Sequence, residues 1–418
     1  MFFKYYEFLY IQLYTCITIK KTRIGCIDVL TQELFKNMTL PALFLDLKAL
    51  DDNCQAIAKK ANGKKIRIAT KSIRSVPVLK RILSSSPVFE GLMCFSSQEA
   101  LFLIDKGFDN LLIGYPCTDS TSLLQIAQVN QTGKRIICMV DDLAQIEILE
   151  TLAKQAGGTF FVCIDVDMSS TFGPLHFGVR RSPLANPESV LHLTDRIIQS
   201  SYLTLTGIMG YEAQIAGIGD LMPGQQLKNT AIFYMQQKSI REVAKRRKDI
   251  VQIIQNKGIH LSLVNGGGTG SLHSTATEAA VTELTAGSGF YAPLLFDYYK
   301  SFSYQPALYF ALPIVRKPTA HIYTCLGGGY IGSGATGKDK QPQPIFPPGG
   351  RLLSLEGAGE VQTPVYYEKA DLQIGDAIVF RAAKAGEICE RFSQITCISN
   401  GQIVEQYPTY RGEGVCFL

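Results

Sequence analysis

The feature that most constrains the fold is a regular alternation of short apolar runs with helical patterns along the middle of the chain. Eight runs are predicted as β-strands because they are apolar or alternating and lie between turn signals. They span residues 66–70, 88–95, 111–115, 135–140, 159–165, 203–209, 260–264 and 281–286. Eight β/α units over this length predict a (β/α)8 TIM barrel. A doubly wound sheet is the rival, but the Gly-x-Gly-x-x-Gly fingerprint that usually follows its first strand is missing.

A lysine and two glycine-rich segments are expected to lie at the same end of this barrel. Lys71 follows the first predicted strand, and segments 264–270 and 286–291 are at the ends of the seventh and eighth. Barrel active sites lie where the strands end, and the last two loops often bind phosphate. Glycine lets backbone N–H groups approach phosphate oxygens closely. We therefore predict one site, with an amine for a carbonyl cofactor and a cradle for its phosphate. A solvated lysine and ordinary glycine turns are the alternatives.

Composition excludes several classes of protein. The 418 residues are 46% hydrophobic and 18% charged with a net charge of +5, which indicates a globular protein of about two or three domains. The densest basic cluster, residues 245–248, lies in a long helical pattern, where we expect a solvated helix face. No nucleic-acid partner is therefore predicted.

The cysteine pattern and the hydropathy predict a cytoplasmic protein. Eleven cysteines are scattered without a Cys-x-x-Cys pair, which favours reduced thiols over disulfides or a zinc site. No uncharged apolar run of about 20 residues is present, so no membrane span is expected. The apolar N-terminus is a poor signal peptide because Lys20, Lys21 and Arg23 follow the apolar stretch instead of preceding it.

Three regions are predicted along the chain. Residues 1–40 form an N-terminal helical extension, residues 41–300 the barrel, and residues 301–418 a C-terminal, mostly β domain with short alternating runs and many Gly and Pro residues. The apolar run at 42–47 precedes the barrel strands, and we expect it to pair with the C-terminal domain.

These features together resemble the alanine racemase-like (fold-type III) enzymes that bind pyridoxal 5′-phosphate (PLP). Within that fold the chain is most similar to the D-threonine aldolase/D-serine dehydratase-like (amino acid deaminase/aldolase) group. The resemblance covers roughly residues 41–414 and is carried by segments 41–46, 67–71, 210–214, 265–270, 283–290, 374–376 and 384–392. It implies a PLP-dependent lyase that acts on a D-(β-hydroxy) amino acid by retro-aldol cleavage or dehydration/deamination through a Lys71 Schiff base. It also implies a homodimer with a small-molecule amino-acid substrate.

The resemblance assigns roles residue by residue. Lys71 and Tyr211 are the catalytic candidates: Lys71 forms the Schiff base, its released amine is a candidate proton carrier, and Tyr211 contacts the pyridine ring. Arg180 is the candidate partner of the cofactor phenolate. The remaining cofactor-binding candidates are in the two glycine-rich segments and comprise Asn265, Gly268, Thr269, Ser288, Gly289 and Phe290. Rim packing for Tyr211 and a surface position for Arg180 are the alternatives.

A divalent metal is the doubtful part of the resemblance. Dehydratases and aldolases of this group typically hold one with a His-x-Cys pair, and the matching positions here are Glu387 and Cys389. Carboxylate and thiolate both bind metals, but a metal-free site with Glu387 in a hydrogen-bonding role is an equal alternative. Ala69 and Ile73 also replace the histidines that commonly flank the lysine in the aldolases.

Two other functions are kept open. An amino-acid racemase of the same fold would use a tyrosine of the C-terminal domain as its second base, and the available residues are Tyr323, Tyr366, Tyr367, Tyr407 and Tyr410. A non-catalytic PLP-binding homeostasis protein would resemble the bare barrel. The long region after the barrel argues against that function, because closing a site with a second domain is what substrate chemistry needs.

Overall fold

The computed structural model describes residues 30–418 apart from residues 37 and 336. Most of the extension predicted at 1–40 therefore lies outside the described residues. The described chain forms two compact units. One contains residues 30–52, 305–383 and 396–406, and the other contains residues 53–304, 384–395 and 407–418.

The strands, numbered along the described chain, have the following bounds: β1 (Ala42–Asp46), β2 (Lys65–Ala69), β3 (Phe89–Cys94), β4 (Leu111–Pro116), β5 (Ile136–Val140), β6 (Phe160–Asp165), β7 (Ser170–Phe172), β8 (Leu175–Phe177), β9 (Leu203–Gly210), β10 (Leu263–Gly266), β11 (Glu283–Ala286), β12 (Leu308–Thr319), β13 (Ile322–Leu326), β14 (Gln343–Phe346), β15 (Arg351–Leu352), β16 (Gln362–Tyr366), β17 (Ala377–Arg381), β18 (Gln394–Ser399) and β19 (Gln402–Pro408). The α-helices span Gln32–Lys36, Leu47–Ala58, Val76–Ser85, Ser97–Asp105, Ser120–Gln131, Leu143–Ala156, Pro187–Ile198, Ala213–Ala216, Gln226–Asn256 and Leu272–Thr275.

The larger unit contains a closed parallel barrel, which confirms the predicted fold class. Its strand order is β10-β11-β2-β3-β4-β5-β6-β9, and β9 pairs with β10 to close the ring. β11 lies beside β2 with Ala286 opposite Ile68, so the loop after the last strand is next to the turn after the first. A cluster of buried side chains from neighbouring strands packs together, and it includes Leu112, Ile137, Met139, Cys163, Met209 and Leu263. The parallel order brings all eight carboxyl ends to one rim.

The seventh barrel strand lies later than the sequence predicts. The pattern predicts 260–264, whereas β10 runs from Leu263 to Gly266. The amide of Asn265 donates to Glu283 (2.7 Å) and accepts from the Thr285 hydroxyl (3.0 Å). Neighbouring strands therefore satisfy its buried polar groups, and the strand continues through residues that look like loop formers.

One charged cluster departs from the prediction of a solvated face. Residues 245–248 lie in the helix Gln226–Asn256, but the Arg247 side chain is 0% exposed. Helical spacing explains this burial, since Val243, Ile250, Val251 and Ile254 are buried at the matching positions. The prediction is wrong for Arg247, and its guanidinium becomes part of the site described below.

The smaller unit is built around a nine-stranded sheet. β12 is its longest strand and pairs antiparallel with β1, β13 and β17. Ala42 of β1 lies opposite Ala311 of β12, which confirms the expected pairing of the first strand with the C-terminal region. The apolar core of this unit includes Leu30, Phe35, Phe44, Tyr309, Ala311, Ala377, Val379 and Ile398. Among the helices of the described chain, none has both the length and the apolar character needed to cross a membrane.

Candidate active site

Lys71 lies in a single turn that follows the first barrel strand. β2 ends at Ala69, and residues Thr70–Ser72 form a 3-10 turn at the rim. The side chain is exposed, and its Nζ donates to the hydroxyl of Tyr115 at 2.7 Å. Tyr115 is in β4, two strands away in the barrel. Tyr115 lies near the end of a barrel strand, and this position could have identified it as a site residue, but the sequence analysis does not select it.

The backbone of this turn is held from the other side by residues 384–395, which belong to the same unit. Arg74 donates to the Lys71 carbonyl at 3.1 Å and pairs with Glu390 at 2.9 Å. Gly386 has a φ of +74°, and a Cβ at this position would overlap the Lys71 carbonyl oxygen. Only glycine fits there without strain or displacement. The turn that carries the lysine is therefore fixed on both faces.

A second arginine, absent from the sequence prediction, lies beside the Lys71 partner. The Arg181 guanidinium is 5.7 Å from the Tyr115 ring centroid and 5.6 Å from the Tyr211 ring centroid. Arg180 is exposed, and none of the contacts found around Lys71, Tyr115 or Tyr211 in the described chain involves it. The sequence shows two consecutive arginines, Arg180 and Arg181. Which of them lies near Tyr115 and Tyr211 depends on the irregular backbone after β8.

The two glycine-rich loops meet each other and the Lys71 turn. The Thr269 hydroxyl accepts the amides of Gly287 (3.4 Å) and Gly289 (3.1 Å), so it ties the loop after β10 to the loop after β11. The Ser288 and Ser72 hydroxyls are 3.0 Å apart. The residues expected to bind phosphate are thereby brought next to the residue that follows Lys71.

These loops have the donors that a phosphate group requires. Within the described part of the chain, the amide N–H groups of Thr269, Gly270 and Ser288 donate to no other residue. A Cβ on Gly268 would lie 2.9 Å from Ala216 Cβ and 3.0 Å from Tyr211 Cε2, so the close packing at this position requires glycine. Unused amides beside two serine hydroxyls suit a phosphate dianion, and the Lys71 amine suits an aldehyde. The arrangement therefore fits PLP.

Two predicted cofactor-binding residues make structural contacts within the barrel unit. Both polar atoms of the Asn265 side chain bond to Glu283 and Thr285 on neighbouring strand β11. Phe290 is 0% exposed, its ring packs edge-on against Phe89 at 5.5 Å, and its amide donates to Gly287. Both residues support the loops without presenting a side chain to the rim.

Tyr211 comes directly after β9, next to the phosphate loop. Burial raises the pKa of its hydroxyl to about 12, so the side chain stays neutral at physiological pH. Its ring packs against Gly268, as the close approach to a hypothetical Cβ at that position indicates. Tyr211 could therefore offer a neutral hydroxyl, and not a charged group, to a pyridine ring near the end of β9.

Acidic side chains lie at the ends of the neighbouring strands. Burial, with nearby Asp141 next in importance, raises the pKa of Asp165 to about 7, and the Arg181 guanidinium opposes that rise. Asp165 therefore changes charge near neutral pH. Asp167 instead accepts the Ser169 amide (2.9 Å) and hydroxyl (2.7 Å), so it shapes the loop after β6.

The residues expected to bind a metal do not fit one. Cys389 is 1% exposed, and burial raises the pKa of its thiol to about 12, which opposes the thiolate form that binds metals. Glu387 lies 3.5 Å from the Lys384 ammonium, a cation already beside the carboxylate. Within residues 30–418, apart from the two positions not described, no group of three or more His, Cys, Asp or Glu side chains could hold a metal ion. No step is therefore derived through a metal.

Known proteins share this fold and part of this sequence. The chain is 25% identical to the 3-hydroxy-D-aspartate aldolase of Paracoccus denitrificans over 260 residues, which are 62% of this chain and 61% of that enzyme. It therefore spans less than two thirds of the length of that relative. The D-threonine aldolase structure from Filomicrobium marinum superposes with a TM-score of 0.76 at 20% identity, covering 90% of this chain and 96% of that chain. D-threo-3-hydroxyaspartate dehydratase from Delftia sp. HT23 superposes with a TM-score of 0.70 at 16% identity, covering 90% and 98%.

The family model gives the assignment. The model described as "Alanine racemase, N-terminal domain" matches residues 45–293, which is more than half of the chain and includes Lys71 and both glycine-rich loops. The match agrees with the closed barrel and with the structural neighbours. This chain therefore belongs to the alanine racemase N-terminal domain family.

Proposed function

We propose that this protein is a PLP-dependent lyase that acts on a D-amino acid with a β-hydroxyl group. The observation that carries the proposal is the convergence of three features at one rim of the barrel. These are the Lys71 amine bonded to Tyr115, the unused amides of residues 269, 270 and 288, and the paired hydroxyls of Ser72 and Ser288.

Different residues of the rim are proposed to hold different parts of the cofactor. Lys71 would hold the aldehyde, and the amides of Thr269, Gly270 and Ser288 would hold the phosphate. Tyr211 would supply a neutral contact from the end of β9, and Arg181, in place of Arg180, would be the cationic side chain for the phenolate. When bound, PLP supplies an electron sink for negative charge at the substrate Cα. Because Tyr211 stays protonated, it stabilises charge on the ring less than a carboxylate partner would.

Lys71 and Tyr115 are proposed to hold and move the proton. The 2.7 Å hydrogen bond between them places a hydroxyl directly on the amine. The Lys71 amine would serve as the base that moves the proton, and the Tyr115 hydroxyl would fix its direction. The Arg181 guanidinium beside the Tyr115 ring limits how that ring can turn.

The substrate class follows from the relatives. The aldolase from Paracoccus is named for 3-hydroxy-D-aspartate, and the two structural neighbours are named for D-threonine and D-threo-3-hydroxyaspartate. Each of these substrates has a hydroxyl on Cβ. Retro-aldol cleavage breaks the Cα–Cβ bond: the hydroxyl loses its proton, Cβ leaves as an aldehyde, and Cα gains a proton to give glycine. Dehydration instead removes the Cα proton and expels the β-hydroxyl as water, and hydrolysis of the resulting enamine, in its imine form, gives a keto acid and ammonia.

Product analysis tests the proposal and separates its two branches. D-threonine and D-threo-3-hydroxyaspartate are incubated with the purified protein, and glycine, aldehyde, keto acid and ammonia are quantified. Glycine with an equal amount of aldehyde identifies an aldolase, and ammonia with an equal amount of keto acid identifies a dehydratase. A PLP-loaded protein that releases neither pair from a panel of D-β-hydroxy amino acids contradicts the lyase proposal.

Three of the five tyrosines considered for a racemase are poorly placed to act as its second base. Tyr323, Tyr367 and Tyr410 are each at most 1% exposed. Their hydroxyls donate to the carbonyls of residues 370 and 347 and to the carboxylate of residue 99. A second base must meet the substrate, and these hydroxyls are already bonded inside their own units. These three tyrosines are therefore not expected to act as the second base, which leaves Tyr366 and Tyr407 as the candidates for a racemase.

We further propose a homodimer in the cytoplasm. The dimer is carried over from the family resemblance. The buried thiols of Cys94, Cys138 and Cys163 are free, which suits a reducing compartment. Sedimentation of the active protein tests the dimer, and an active monomer contradicts it.

A further inference from the structure

A buried carboxylate lies directly behind the phosphate loop. Glu212 is the residue after Tyr211, and it is 1% exposed. Its Oε1 accepts the hydroxyls of Ser271 (2.8 Å) and Thr275, and its Oε2 accepts the Gly267 amide at 3.2 Å. The carboxylate therefore bonds to both ends of the loop that begins after β10.

These bonds decide which loop amides remain for a ligand. The Gly267 amide is directed back to Glu212, and the Gly268 amide is directed back to Ser271 Oγ at 3.0 Å. The next two amides, those of Thr269 and Gly270, have no acceptor among the described residues. Consecutive amides of one loop are thus divided into an inner pair bonded to the side chains of Glu212 and Ser271 and an outer pair available for phosphate.

Arg247 explains how the carboxylate can be buried. Its Nη2 donates to Glu212 Oε2 at 3.0 Å and to the Gly210 carbonyl at 2.9 Å, and its Nη1 contacts Glu278. Burying a carboxylate is costly unless it has a charged, hydrogen-bonded partner. The buried Arg247 guanidinium is that partner for Glu212. Arg247, which the sequence pattern assigned to a solvated helix face, is thus the buried partner of Glu212.

We propose that Glu212, supported by Arg247, is a positioning residue that directs the Thr269 and Gly270 amides towards the cofactor phosphate. The inference rests on the proposed PLP site and adds a residue that touches neither cofactor nor substrate. Tyr211 and Glu212 are adjacent in the segment after β9. This one segment would therefore contact the pyridine ring through Tyr211 and hold the loop after β10 through Glu212. Glu212 thereby acts on phosphate recognition and not on the aldehyde.

The test compares PLP with pyridoxal, the same aldehyde without phosphate. The full-length protein is stripped of cofactor, and the dissociation constants of both compounds are measured by equilibrium dialysis for the wild type and Glu212→Gln. In this variant an N–H₂ group replaces one of the two carboxylate oxygens. One of the groups that donate to Glu212, which include the Gly267 amide and the Ser271 hydroxyl, then loses its acceptor. Losing a charge-assisted hydrogen bond that orders the loop is expected to weaken PLP binding on the order of tenfold or more. Pyridoxal binding is expected to change little.

Glu278→Gln is the matched control. Glu278 also pairs with Arg247, but its carboxylate makes no bond to the loop. This variant therefore perturbs the same buried arginine without removing an acceptor of the loop amides, and the ratio of PLP affinity to pyridoxal affinity should stay near the wild-type value. Thermal unfolding of each stripped variant reports whether the fold is retained.

The outcomes separate this inference from the function on which it rests. A folded Glu212→Gln protein with the wild-type PLP-to-pyridoxal ratio overturns the inference. A wild-type protein that binds PLP no better than pyridoxal overturns the phosphate site itself. If Glu212→Gln does not fold, Ser271→Ala removes the acceptor of the Gly268 amide and one of the hydroxyls that donate to Glu212, while the Gly267 amide keeps its acceptor. It should lower the ratio in the same direction by a smaller factor. A folded Ser271→Ala protein with an unchanged ratio then contradicts the inference.

Discussion

The Glu99→Gln variant should change how stability depends on pH. Glu99 is in the helix Ser97–Asp105 and is 0% exposed. Its carboxyl accepts the Phe95 amide (2.7 Å) and the Tyr410 hydroxyl (2.8 Å), so it joins the C-terminal segment to the barrel within one unit. Burial raises its pKa from 4.5 to about 7, although the hydrogen bonds oppose the shift.

The direction and size of the effect follow from this pKa. The unfolded chain loses this proton near pH 4.5, whereas the folded protein keeps it until about pH 7. Between these values the unfolded state binds fewer protons, so stability falls as pH rises through the window. The full shift corresponds to about 3 kcal/mol. Glutamine keeps the shape of the protonated carboxyl and cannot ionise, so the variant should gain up to about 3 kcal/mol relative to wild type from pH 4.5 to above 7.

Calorimetric unfolding at a series of pH values measures the effect. The midpoint of Glu99→Gln minus that of wild type should rise by several degrees across the window and level off above it. Glu147→Gln removes an exposed carboxylate from the helix Leu143–Ala156 and serves as the control, for which a nearly flat difference is expected. A flat difference for Glu99→Gln as well would refute the argument that burial controls this carboxyl.

Three further predictions concern the rim. Tyr115→Phe should lower turnover by about tenfold or more while leaving PLP bound, because it removes the hydrogen bond that directs the Lys71 amine; unchanged steady-state rates would contradict that role. Gly386→Ala should reduce both cofactor affinity and the unfolding midpoint, since a Cβ there meets the Lys71 carbonyl and the backbone has a positive φ; dialysis and calorimetry showing wild-type values would count against the fixed turn. Thorough chelation should leave activity intact, because burial raises the pKa of the Cys389 thiol and the Lys384 ammonium lies beside Glu387; activity lost on chelation and restored by a divalent cation would disprove this.

Much of the barrel could be predicted because its signals are local. Each strand is a short apolar run, each helix has its own periodicity, and their alternation leaves few possible topologies. The strand order alone then predicts that Lys71 lies near the two glycine-rich segments. The strand containing Asn265 was misplaced because its polar side chain is satisfied by β11, a contact that no local pattern reveals.

The parts that could not be predicted depend on contacts between distant residues. Residues 384–395 and 407–418 return to the barrel unit after the chain has built most of a separate sheet, and no composition change marks the return. Arg247 was read as solvated because its partner Glu212 is 35 positions earlier in the sequence. The choice of Arg181 over Arg180 depends on an irregular loop, where no periodicity tells which neighbour points inward.

The most direct test of the central claim is the site of covalent attachment of PLP. The protein loaded with PLP is reduced with borohydride and digested, and the modified lysine is identified by mass spectrometry. The account predicts that the label is on Lys71 and that Lys71→Ala takes up no label. Lys60 is the rival amine, since burial lowers its pKa and its Nζ lies 5.3 Å from the ring centroids of Phe302 and Tyr304. Label on Lys60, or on any lysine other than Lys71, would contradict the account.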